Sequence, residues 1–180
     1  MKRFYPLSAR GLLAVAASLC TTYAAAQGAP SGHEAMVAPS LTTKVARGLY
    51  LVRISGCNDC HTPGYAESAG QTPQAAWLTG SAVGFRGPWG TTYPANLRLS
   101  MQRLTEAEWL QRARQPMRPP MPWFALRDMS DEDLRAVYAA VRHLGPAGDP
   151  APTYVAAGSA PPGLYIDFVP HSAQPVQAAR

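Results

Sequence analysis

The sequence predicts an all-α domain, a small fold of three to four helices with a long irregular loop in its middle. Three observations predict it. Apolar residues recur at helical spacing on both sides of the chain's centre. Two N-terminal capping patterns open the later helices. Between them, residues 62–100 hold neither the helical nor the strand period and are punctuated by Gly and Pro from Pro63 to Pro94.

The first helix is expected from Thr43 to Ser55, where Val45, Leu49 and Val52 share one face, and Gly56 breaks it just before Cys57. Thr105-Glu106-Ala107-Glu108 reads as a capping box, so a second helix starts there and ends before Pro116. Ser130-Asp131-Glu132-Asp133 opens a third, with acids at the positive end of its dipole and Leu134, Val137, Tyr138 and Val141 as its buried stripe; Gly145-Pro146 stops it. A loop as long as residues 62–100 is unusual in a compact domain unless it wraps a cofactor.

The flanks differ from this centre. Lys2, Arg3 and Arg10, the apolar stretch Gly11 to Leu19 and the small residues Ala24-Ala25-Ala26 form a secretory leader, expected to be cut before Gln27. Its apolar run is shorter than the roughly 18 residues that a membrane span needs, and no later segment reaches that length. Bulky Leu19 before Cys20 argues against lipid attachment there. The expected organisation is a leader at 1–26, a flexible lead at 27–40, the domain at 41–146, and a Pro/Ala-rich tail at 147–180 with one apolar patch from Leu164 to Val169. The expected location is therefore the periplasm.

Formal net charge is +5, from 16 basic and 11 acidic residues. Three of the 16 leave with the leader and none of the 11, a balance of about +2, too small to imply a nucleic-acid partner. Residues 86–127 carry seven Arg against two Glu, either a solvated mixed surface or a positive rim for acidic partners.

Two of the three cysteines survive leader removal, Cys57 and Cys60, too close together to restrain an unfolded chain by a disulfide. They stand in Cys57-Asn58-Asp59-Cys60-His61, and a C-x-x-C-H run is the attachment signal for c-type haem. Cysteines three apart on a helix lie on one face, so each thiol reaches one vinyl group of a single covalent haem, while His61 is set beside them as an axial iron ligand. A thiol–disulfide centre would place the pair at the head of a helix in a βαβ pattern, which is missing, and zinc would need a second Cys/His pair.

The second axial position is open to Met101, Met117, Met121 or Met129. Met121 is best placed, because prolines on both sides in Pro119-Pro120-Met121-Pro122-Trp123 limit its backbone; Met117 is the alternative. Met129 precedes the cap Ser130 and suits a staple. His143 lies half a turn from the apolar stripe and should face solvent, and His33 and His171 fall in the flanks. Trp77, Trp89, Tyr93 and Trp123 are candidates to pack on the ring, and Asn96 or the arginines to reach its propionates.

At residues 41–146 the chain resembles the class I (mitochondrial-type) cytochrome c domains of bacteria. Arg47-Gly48-Leu49-Tyr50 before the haem run is similar to that family's first helix, whose Gly and aromatic approach the last helix, and Tyr138 is similar to the aromatic that meets them. The run Gly-Thr-Thr-Tyr-Pro-Ala-Asn-Leu at 90–97 and Met121-Pro122-Trp123-Phe124 look like single-haem cytochromes and cytochrome subunits of periplasmic dehydrogenases. The resemblance implies the small cytochrome c fold, haem c, ligation by His61 and Met121, and electron transfer.

The expected function is therefore that of a non-enzymatic electron carrier. Its partners would be a dehydrogenase, an oxidase or another cytochrome, either met freely or holding this chain as a fixed subunit. A c-type peroxidase would carry a second attachment run, and a gas-binding sensor would leave one face of the iron open. In four-helix-bundle cytochromes, which bind gases, the run lies near the C-terminus rather than early.

Overall fold

The structure, a computed structural model, describes residues 40–170 and Ser172. The expected leader at 1–26 with Cys20, the lead up to residue 39, His33 and His171 lie outside the described residues.

Ser40 is extended, and its hydroxyl accepts from the Thr43 N–H at 3.2 Å, which opens α1 (Leu41–Ile54). α2 (Cys57–His61) follows after Gly56. A chain with one short 3₁₀ turn leads to β1 (Gly84–Gly87), β2 (Gly90–Thr92) and α3 (Leu97–Ser100). Then come α4 (Glu106–Ala113), α5 (Trp123–Asp128), α6 (Asp131–Leu144) and β3 (Tyr165–Asp167). Among the described residues no helix is long and apolar enough to cross a membrane.

The core forms where α1 crosses α6. α1 buries Val45, Gly48, Leu51 and Val52; α6 buries Leu134, Ala136, Val137, Ala140 and Val141. Gly48 makes the crossing close: a β-carbon there would overlap the Ala136 carbonyl and lie 2.6 Å from Cβ of Ala140. Tyr50, expected at the same contact, is half exposed beneath the Arg47 guanidinium, and the Tyr138 hydroxyl donates to the Leu104 carbonyl at 2.8 Å.

Both expected caps are present. Thr105 and Glu108 exchange hydrogen bonds at the head of α4, which holds the Glu108 carboxyl below its usual range, and Ser130 accepts from the Asp133 N–H at 3.1 Å. The Trp109 indole donates to the Leu134 carbonyl at 2.8 Å, tying α4 to α6. Arg114 donates to the carbonyls of Leu126, Arg127 and Met129 and to Asp131, joining three helix ends.

The all-α expectation is wrong: the described residues form a mixed fold, six helices with a three-stranded sheet in the order β2–β1–β3. β1 and β2 are antiparallel, with Phe85 opposite Thr92 and Gly87 opposite Gly90. β3 runs parallel to β1, with Phe85 opposite Ile166. Glycines at 84, 87 and 90 hide the alternation of this hairpin, and its third strand arrives from the segment expected to be a tail. The helix count rises because α2, α3 and α5 span 5, 4 and 6 residues, too short for a periodic signal.

Candidate functional site

α2 carries Cys57, Cys60 and His61 together, starting after Gly56 in the left-handed region, with φ 70°. The helix is pinned from inside. Asn58 is fully buried, and its Oδ1 accepts from the Thr62 hydroxyl at 2.7 Å; that hydroxyl in turn accepts from the Leu78 N–H at 2.8 Å. The long loop thus folds around the motif by bonding to it. Gly80 N–H donates to the His61 carbonyl at 2.8 Å.

The His61 ring is 8% exposed, and its Nδ1 lies 2.7 Å from the Ala95 carbonyl. A carbonyl only accepts, so Nδ1 carries the proton and Nε2 keeps its lone pair, with no hydrogen-bond partner among the described residues. Burial lowers the imidazole pKa more than the carbonyl raises it, so the ring is neutral at pH 7. A neutral histidine whose Nδ1–H is held by a backbone carbonyl leaves Nε2 available to bind a metal.

No family model, curated protein or solved structure matches this chain.

Cys57 and Cys60 are both free and part-buried. Burial pushes the Cys57 thiol up to about 11 and raises that of Cys60 as well. Both stay protonated at neutral pH, unlike a thiol–disulfide centre, whose attacking thiol is held low. Among the described residues no three His, Cys, Asp or Glu side chains gather as a metal-ligand cluster.

Trp89 Nε1, Thr91 Oγ1, Thr92 Oγ1 and Tyr93 OH are buried with no hydrogen-bond partner among the described residues, as is Asn58 Nδ2. Buried polar atoms are rarely orphaned in native proteins, and four of these five lie within residues 89–93. A prosthetic group with polar carboxylate arms could satisfy some of these atoms, although Thr91 and Thr92 lie on opposite faces of β2; two thiols on one short helix suit its attachment, and His61 Nε2 suits its iron. The residues fit the group.

The sequence singled out Asn96 and the arginines for such arms, and the structure uses them elsewhere. Asn96 caps α3 through Oδ1 and donates from Nδ2 to the carbonyls of Ala147 and Asp149. Arg98 is 4% exposed and donates to the carbonyls of Leu144, Gly145 and Ala75. Arg86 bonds the Tyr165 hydroxyl, Arg112 the Pro116 carbonyl and Arg127 Asp128, so much of the proposed positive rim is engaged within the fold.

Among the aromatics, Trp77 is satisfied core, donating to the Thr72 carbonyl at 2.9 Å and meeting Tyr65 edge-on. Trp89 leans on Phe168, and the Arg127 guanidinium covers Trp123. Met101 is 1% exposed and is core filling. Met117, Met121 and Met129 are half-buried and pack, like Cys57, against the same core cluster; burial ranks none of the three above the others. His143 is exposed, as expected. The sequence missed the Ala95 carbonyl, because a backbone acceptor has no residue signature, and the Asn58–Thr62–Leu78 chain, because its last link comes from a backbone N–H 16 positions away.

Proposed function

We propose that this protein is a periplasmic, single-haem c-type cytochrome that carries one electron at a time between redox proteins. Cys57 and Cys60 would hold the haem through thioethers, and His61 would bind its iron, with Met121 as the second axial ligand. The observation that carries the reading is the His61 imidazole: buried, neutral, donated to Ala95 and left with a lone pair beside two protonated thiols on one short helix.

A haem bound there would supply a one-electron iron couple. The chain's part is to hold and shield it. The Ala95 carbonyl fixes the imidazole's orientation and makes Nε2 a better donor. The Asn58–Thr62–Leu78 chain keeps α2 seated in the core, so both thiols stay on one face. Unpartnered atoms at 89–93 would offer donors to carboxylate arms, and half-buried Met121 would offer the iron a thioether sulfur, a ligand that favours the reduced state.

A fixed subunit of a periplasmic dehydrogenase or oxidase is the second reading. It is favoured by the exposed apolar strip at Leu164, Ile166, Phe168 and Val169, unusual for a freely diffusing carrier.

The test is mass and colour. Full chain produced in cells that mature c-type cytochromes should weigh one haem more than the processed polypeptide and keep its colour after denaturation. Cys57→Ser with Cys60→Ser should lose both. A bare polypeptide mass in the unaltered protein would end the proposal.

A further inference from the structure

We propose that residues 147–155 form a strap that holds the Met121 turn in place, with Tyr154 as its positioning residue. The inference rests on the haem reading for its meaning at the metal, and on the structure alone for the strap.

The strap begins one residue from the acceptor of His61. Asn96 Nδ2 donates to the Ala147 carbonyl at 2.8 Å and to the Asp149 carbonyl at 3.0 Å. Pro150, Ala151 and Pro152 then line an open pocket of about 210 Å³ together with Tyr93 and Ala95. Val155 pairs with Thr91 in both directions, at 2.8 and 3.0 Å. Gly90 permits this approach: its φ is +98°, and a β-carbon there would overlap the Val155 carbonyl and lie 2.8 Å from the Tyr154 hydroxyl.

Tyr154 joins this anchored segment to the methionine turn. Its hydroxyl donates to the Trp89 carbonyl at 2.7 Å. The Arg118 guanidinium stands 4.2 Å from its ring centroid. The Arg118 carbonyl in turn accepts the Met121 N–H at 3.3 Å. Tyr154 is 40% exposed, so core filling does not explain it; two specific contacts place it. One continuous path therefore runs from the segment that orients His61, through the strap and Tyr154, to the turn that carries Met121.

If Tyr154 clamps that turn, releasing it should let the turn open more often. Tyr154→Leu removes both contacts, whereas Tyr154→Phe keeps the ring beneath Arg118. In the full-length protein, amide hydrogen exchange over residues 118–124 should quicken about tenfold in Tyr154→Leu and return close to the unaltered rate in Tyr154→Phe. Carbon monoxide should bind the reduced Tyr154→Leu holoprotein about tenfold faster, because the second axial face is less often closed.

Unchanged exchange over 118–124, or equal quickening across α1 and α6, would overturn the strap. Local quickening with an unchanged carbon monoxide rate in haem-bearing protein would overturn the positioning of Met121. Local quickening in a protein found to carry no haem would uphold the strap and sink the electron-carrier reading, so the two failures are distinguishable.

Discussion

His61 shows how one residue's chemistry depends on a distant neighbour. The ring is buried, which favours its neutral form, and the Ala95 carbonyl, 34 positions away, decides which nitrogen holds the proton. Met121 has no such partner; its turn places it, with Met121 N–H on the Arg118 carbonyl and Trp123 N–H on the Met121 carbonyl at 2.8 Å. If Met121 ligates the iron, the weak near-infrared sulfur-to-iron band of the oxidised protein disappears in Met121→Ala and persists in Met117→Ala. The reverse result would give the role to Met117, which is half-buried to the same class. Arg98 is the residue whose use was least foreseeable. Its sequence neighbourhood suggests a surface arginine, yet it is sealed inside, satisfying the carbonyls at the end of α6.

At the scale of elements, the crossing of α1 and α6 is the contact on which the helical part depends. Gly48→Ala would drive a methyl group into the Ala136 carbonyl and toward Ala140, so the helices must separate or shift. Overpacking of this kind costs about 1–3 kcal/mol, visible as a lower denaturant midpoint with the slope unchanged. An unaltered midpoint would show that the crossing yields easily. The caps of α4 and α6 were legible because they are local: Thr105 with Glu108, and Ser130 with Asp133, each settle their bonds within three residues. The short helices α2, α3 and α5 were not, because fewer than two turns give no repeat to read.

At the scale of the molecule, the segment after Pro146 belongs to the fold. It supplies the acceptors for Asn96, the partner of Thr91, and the third strand through Gly84 N–H to the Leu164 carbonyl at 2.8 Å and Phe168 N–H to the Arg86 carbonyl at 2.8 Å. Ending the chain at residue 163 removes β3 alone, and ending it at 146 removes the strap as well. Each lost backbone bond is worth about 1 kcal/mol, so the melting temperature should fall with the first cut and fall further with the second. Equal melting of all three chains would show the segment to be an appendage.

Sequence by itself determined the features that neighbouring residues settle: the bounds of α1, α4 and α6 within one or two residues, the C-x-x-C-H run, and the helical face that turns inward. These depend on capping, periodicity and the reach of side chains a few positions apart. Tertiary structure decided the rest. The sheet, the proton on His61 Nδ1, the burial of Arg98 and the course of the final segment all depend on backbone groups that meet across long separations, and backbone atoms are the same in every residue.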